Sequence, residues 1–279
     1  MPTPLQYEAK YRSLAVRAPG NTWITVDIHK YKNNSSTTGD HSTALAKKEG
    51  QDPLIAKIRE AGKKALGTKK TPHGSTVVLD KLQDDVNPAE FAPGSLYETI
   101  DTMPIRRSFV GKGSPEDLAY TLRLILRFKM AEATTASLQK FCDNYLGLDC
   151  SGFVTNFIDI ELSAKLDPME TSATSYRGPV SKRRAKIEDI QRLDGLAWAT
   201  TNHVAVIDSV DSTYISALKA AGKTDFKDLP IVVVESNGGK GLTHNTYTVH
   251  SVNSEGIFKV HRDYEATGIL HKVYIRSLP

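Results

Sequence analysis

At 279 residues, 39% hydrophobic and 24% charged, the chain exceeds the usual domain size of about 100–200 residues and allows one large domain or two small ones. With a mean hydropathy of −0.34, this composition excludes a fibrous, wholly disordered, coiled-coil or repeat protein. Thirty-six Lys and Arg against 32 Asp and Glu leave a net charge of +4, which, spread over the chain, reads as a solubilising surface and gives no case for nucleic acid.

The N-terminus, Met1-Pro-Thr-Pro-Leu-Gln-Tyr-Glu, lacks a basic start followed by roughly 7 to 15 apolar residues, so no Sec-type signal peptide is expected. No apolar run reaches the roughly 18 residues of a membrane span. The expected setting is cytoplasmic synthesis, with any action outside the cell reached by a non-Sec route.

Residues 21–31 alternate Trp23, Thr25 and Asp27 against Ile24, Val26 and Ile28 and predict a half-buried strand. The polar stretch 33–41 reads as a loop. Residues 52–66 carry Leu54, Ile55, Ile58 and Leu66 behind Pro53 and predict a helix ending at Gly67. Prolines and glycines between 68 and 113 predict connecting segments with short strands. A boundary is placed there: an N-terminal region, 1–112, that either stands alone or completes the fold, and a catalytic region, 113–279.

Ser114-Pro115-Glu116-Asp117 combines a Ser cap, a first-turn Pro and two acids, a strong helix start. Leu118, Leu122, Ile125 and Leu126 then form a buried stripe. A second helix is predicted over 135–145, with Cys142 on it as a packing residue. Residues 167–192 read as a polar surface loop with the basic run Lys182-Arg183-Arg184-Ala185-Lys186. Strands are predicted at 195–200, 204–210, 231–235, 246–252, 256–260 and 270–275. Helices first and strands after indicate an α+β fold.

Two cysteines, Cys142 and Cys150, are too few for a disulfide framework, so a chemical role for one of them is open. In Leu148-Asp149-Cys150-Ser151-Gly152-Phe153-Val154, apolar Phe153, Val154, Phe157, Ile158 and Leu162 follow the thiol and predict a buried helix beginning at Cys150. A thiol there meets the positive end of the helix dipole, which favours the thiolate. The bland alternative is a buried structural cysteine. Downstream, Asp194-Gly195-Leu196-Ala197-Trp198 leads to Asn202-His203-Val204-Ala205-Val206-Ile207, which sets a histidine at the start of an apolar strand. A neighbouring strand, Ile231 to Val234, ends in Glu235-Ser236-Asn237, polar groups able to orient an imidazole. Together these supply a Cys-His pair of the kind that activates a thiol nucleophile.

In order and spacing, these three segments resemble the NlpC/P60 cysteine peptidases over 114–279. The resemblance implies a papain-like fold, helices preceding an antiparallel sheet with an N-terminal extension, and a thiol hydrolase that cleaves peptide bonds in bacterial cell-wall peptides beside D-glutamate or diaminopimelate. It implies Cys150 as nucleophile, His203 as general base and Glu235 as third residue, with Asn237 as competitor, since the family more often carries His, Asn or Gln there. The family's tyrosine in a Tyr-Xaa-Xaa-Gly element lies well ahead of its cysteine, whereas Tyr145 in Asn144-Tyr145-Leu146-Gly147 stands only a few residues upstream. Asp149, Ser151, Tyr145 and Asn237 are the residues expected on the substrate side, with backbone N–H groups near Cys150 and Ser151 as oxyanion donors.

No cofactor is called for. His244, His250, His261 and His271 lack metal-ligand spacing, and the glycines of Ser236-Asn237-Gly238-Gly239-Lys240-Gly241 form a turn beside the cleft rather than a phosphate loop. Peptidoglycan peptides are the expected partner, with a secretion machine or an immunity protein as further partners of a delivered effector; a phage enzyme fits equally. A catalytically silent binding protein on the same scaffold and an acyltransferase that passes the thioester to an amine remain the alternatives.

Overall fold

The structure is a computed structural model that describes residues 2–33, 39, 41–66, 76–80, 97–223 and 226–278. These residues form two compact units, Lys10–Leu148, and Met1–Ala9 with Asp149–Pro279.

In the first unit, strands β1 (Leu14–Ala18) and β2 (Thr22–Val26) pair antiparallel around a turn where Gly20 takes φ 76°, a left-handed conformation that suits a residue without Cβ. β1 alternates buried and outward positions, as a strand with one packed face must. A further hairpin joins β3 (Thr76–Asp80) to β4 (Tyr97–Asp101). Helix α3 (Asp52–Leu66) follows the short α2 (Thr43–Ala46) through one wide turn at Lys47–Gln51. After β4 come α4 (Thr102–Phe109), α5 (Pro115–Arg127) and α6 (Thr135–Tyr145). The predicted start of α5 is realised in full: Ser114 Oγ accepts from the Asp117 amide at 3.0 Å and Asp117 returns a bond to the Ser114 amide at 3.1 Å, a capping box. Leu118, Leu122 and Ile125 below it are fully buried.

The second unit opens with α1 (Pro4–Arg12), whose Tyr7 packs on Phe153 and Phe157 of α7 (Cys150–Leu162) with ring centroids 5.8 and 5.5 Å apart. Six strands follow, β5 (Asp194–Trp198), β6 (Val204–Val210), β7 (Leu229–Asn237), β8 (Gly241–Val252), β9 (Ile257–Arg262) and β10 (His271–Ser277), with α8 (Ser212–Ala220) between β6 and β7. They close into an antiparallel barrel in the order β10-β5-β6-β7-β8-β9. Leu196, Ile207, Ile231, Val233, Phe258 and Val260 belong to its apolar core, and burying each such side chain contributes roughly 1.5–3 kcal/mol. α7 packs on β6 and β7, so those strands are covered on both faces. Hence Val204–Ile207 and Ile231–Val234 read as continuous apolar runs rather than strict alternation.

The barrel corrects the expected papain-like fold of helices preceding an open antiparallel sheet with an N-terminal extension. All six strands were predicted, β6 with the observed ends and the other five with shifted ends. Whether a row of antiparallel strands stays open or closes depends on the last strand pairing back onto the first, here Ile275 with Leu196 and Val273 with Trp198, a long-range registration that no local pattern encodes. Register shifts between Ile207 and Ser209 and between Val249 and Ser251 add the local twist that closure requires.

Helices and strands without a predicted counterpart are α1, β1, α2, α4 and α8. The predicted strand 21–31 is shorter, Thr22–Val26. Much of the stretches 33–41 and 68–113, and the helix stop at Gly67, lie outside the described residues.

Candidate active site

Cys150 is the first residue of α7, as its sequence context predicts. Asp149 is the cap: its Oδ1 accepts from the Gly152 amide, and from the Ser151 hydroxyl at 3.2 Å. Both side chains are buried, and these bonds define the helix start. The Cys150 thiol, 4% exposed, donates to the Asn202 carbonyl at 3.8 Å. It therefore lies against the residue that precedes His203.

His203 stands where β5 turns into β6, its carbonyl accepting from the Trp198 amide at 3.0 Å and its ring 4.4 Å from the Trp198 ring, edge to face. Its Nε2 is 2.6 Å from Oε2 of Glu235. Glu235 continues the inward face of β7 after Ile231 and Val233 and is fully buried, a position that is costly for a carboxylate without partners. It has four. Arg262 donates to Oε2 at 3.2 Å, Tyr247 to Oε1 at 2.5 Å and Tyr264 to Oε1 at 3.3 Å. Burial alone would push the Glu235 carboxyl up, but the hydrogen bond and charge of His203, with Arg262 and Tyr247 behind them, hold it down to about 2. Burial and the adjacent Glu235 charge push the Tyr247 phenol well up and Tyr264 to about 12, so both stay protonated donors.

An ionised Glu235 fixes the tautomer of His203. With Nε2 donating to the carboxylate, Nδ1 is the acceptor nitrogen of the neutral ring, and protonation of Nδ1 produces an imidazolium already paired with a buried anion.

Arg262 extends the network. Its guanidinium lies 4.8 Å above the Trp198 ring and also bonds Glu265 Oε1 at 3.1 Å, while Glu265 Oε2 meets His271 Nε2 at 2.6 Å. These side chains line a cavity of about 520 Å³ whose wall also includes Trp198, His203, Asn237 and the Gly238–Lys240 turn.

Of the two candidates for the third position, the structure brings Glu235 to His203. Asn237 instead shapes the β7–β8 turn, its Oδ1 accepting from the amides of Gly239 at 3.0 Å and Lys240 at 2.8 Å. Tyr145 belongs to the first unit, where its ring packs on Phe141 with centroids 4.9 Å apart.

The sequence reading missed Tyr247, Arg262, Tyr264, Glu265, His271, Tyr176 and Arg177. A signal existed for Arg262: it continues the inward alternation Phe258-Val260, and a charge on an apolar face calls for a buried partner. Tyr176 and Arg177 carry no such signal, lying in the polar stretch 167–192. Yet Tyr176 is buried, its hydroxyl 2.7 Å from Thr155 Oγ1 on α7, and burial pushes it up to about 12.

Of the basic run expected as a solvated surface, Lys182 and Lys186 are exposed while the two arginines are engaged. Arg183 bonds the carbonyls of Arg177 and Gly178 and stacks 3.7 Å from the Tyr274 ring centroid, and Arg184 grips Asp194 through two bonds of 2.8 Å. The other three histidines weighed as metal ligands pair outside the site: His244 with Glu8, His250 with Asp228, and His261 with the Ile269 carbonyl. Among the described residues no group of His, Cys, Asp and Glu has the arrangement of a metal site, and no helix is long and apolar enough to cross a membrane. No family model, no curated protein and no solved structure matches the chain.

Proposed function

We propose that the protein is a thiol hydrolase that cleaves amide bonds in bacterial cell-wall peptides. The observation that carries this reading is the buried His203–Glu235 pair at 2.6 Å, with the Cys150 thiol at a helix start against the residue adjoining that histidine. The substrate class rests on the resemblance of Asp149–Val154 and Asp194–Ile207 to NlpC/P60 peptidases, since site chemistry alone does not fix a substrate.

His203 Nδ1 takes the Cys150 proton, and the thiolate attacks the amide carbonyl carbon. The developing oxyanion lies at the positive end of the α7 dipole, near the Cys150 and Ser151 amides. As the C–N bond breaks, the imidazolium returns its proton to the departing amine, leaving a thioester on Cys150. Water, losing a proton to His203, attacks the thioester; the C–S bond breaks and the thiol is restored. Glu235 stays ionised throughout and stabilises the imidazolium in both halves.

The test is incubation of the wild type and Cys150→Ala with purified peptidoglycan and soluble muropeptides, with mass analysis of the products. Cleavage by the wild type alone is expected. Intact peptides in both reactions would overturn the assignment, and products carrying an added amine in place of water would move the protein to the acyltransferases.

A further inference from the structure

Among the described residues, the cavity beside His203 contains one charge without a counter-charge. Of its ionisable wall groups, His203 pairs with Glu235, Arg262 with Glu235 and Glu265, and His271 with Glu265. Lys240 has no carboxylate partner among the described residues. Its ammonium nevertheless has a defined position, 3.8 Å from the centroid of the Tyr264 ring. That ring face attracts a cation without neutralising it, so the ammonium keeps N–H donors for an incoming anion.

Two further contacts set Lys240 in place. Asn237 Oδ1 accepts the Gly239 and Lys240 amides, which fixes the turn from which the side chain leaves. Tyr264, the platform, donates to Glu235 Oε1 at 3.3 Å. The position of the lysine is thereby tied to the carboxylate that orients His203. Gly238 and Gly239 line the same wall and put no side chain between the ammonium and the cavity.

Resting on the thiol hydrolase reading, we propose that Lys240 is the anchor for a substrate carboxylate in this cavity. The ammonium meets the carboxylate as a point charge, while Trp198 supplies the apolar part of the wall.

The test uses full-length Cys150→Ala, which binds without turnover, titrated calorimetrically with the tripeptide L-Ala-γ-D-Glu-diaminopimelate and with the same tripeptide amidated at its carboxylates. The acidic form should bind about fivefold to twentyfold more tightly, as a charge-assisted pair in a partly open cavity gives. Lys240→Gln in the same background should bring the two affinities to within about twofold, and Lys240→Arg should keep most of the preference. Equal affinities in the parent, a preference that survives Lys240→Gln, or no binding of either peptide would each overturn the anchor. Wild-type digestion of peptidoglycan is scored separately, so failure of the anchor with cleavage intact is distinguishable from failure of the hydrolase reading.

Discussion

Tyr247 on β8 donates its phenol proton to Oε1 of Glu235 at 2.5 Å, on the oxygen that His203 does not use. Tyr247 belongs to the apolar core of the barrel and is itself fully buried. Tyr247→Phe removes this donor and leaves Tyr264 at 3.3 Å as the remaining partner of Oε1. Leaving a buried acceptor less satisfied costs about 1–3 kcal/mol. Thermal unfolding should therefore show a lowered Tm, and hydrolysis should fall about tenfold through kcat, because the carboxylate that orients His203 is less firmly held. A variant with wild-type Tm and kcat would show that this bond does not position Glu235.

Glu235 should also contribute to the loss of stability in acid. Its carboxyl is held at about 2 in the folded chain against an ordinary value of 4.5. A depressed folded value means that the stabilisation is fully present above the unfolded value and is lost as pH falls from about 4.5 towards 2, because there the unfolded chain binds the proton first. Urea unfolding between pH 5 and 2.5, at about half-unit steps, should lose stability with a slope of up to about one proton from this group. Glu235→Gln should flatten that segment and lower kcat/KM by about a hundredfold or more, since a neutral amide cannot stabilise the imidazolium. An unchanged acid slope in Glu235→Gln would assign it to other carboxyls.

Legibility in the sequence divides along physical lines. The start of α5, the thiol at the start of α7 and the apolar strands β6 and β7 were readable because capping, helical spacing and apolar runs are local. Glu235 was readable as a candidate because it ends an apolar strand, but only the fold separates it from Asn237, whose side chain turns back on its own backbone. Barrel closure, the Arg262–Glu265–His271 extension and the burial of Tyr176 depend on strands and turns distant in sequence meeting in space. Arg183 and Arg184 looked solvated because their partners, two backbone carbonyls and Asp194, are invisible to a charge count.

The two cysteines should differ sharply in reactivity. Cys142 is buried in α6, and burial, followed by the charge of Asp143, pushes its thiol well above the ordinary range. Cys150 instead begins α7, at the positive end of the helix dipole and against the Asn202 carbonyl. Iodoacetamide near neutral pH should modify Cys150 at least about a hundredfold faster than Cys142, read by peptide mass mapping, and denaturant should abolish the difference. Comparable native rates at the two thiols would remove the case for Cys150 as nucleophile.

Arg177 is the strut of the site. From the short turn Ala173–Arg177, its Nε donates to the Trp198 carbonyl at 3.0 Å, and its Nη2 to the Thr201 carbonyl at 2.9 Å and to Asn202 Oδ1 at 3.4 Å. These three residues are the last of β5 and two of the turn that presents His203, and the Asn202 carbonyl is the acceptor for the Cys150 thiol. Beside it, Tyr176 holds Thr155 of α7, so one turn restrains both the helix that carries Cys150, the proposed nucleophile, and the loop that presents His203, the proposed base. Arg177 contacts neither reacting atom, which makes it a positioning residue. Arg177→Ala should lower kcat about tenfold to a hundredfold with KM nearly unchanged, because misplacement of the base costs rate rather than binding. Arg177→Lys should recover only part of the loss, since an ammonium cannot reproduce the guanidinium fork. The pH dependence of Cys150 alkylation reads the same coupling without substrate and should shift in Arg177→Ala. A rise in KM alone, with kcat and the alkylation profile intact, would instead make Arg177 a substrate contact.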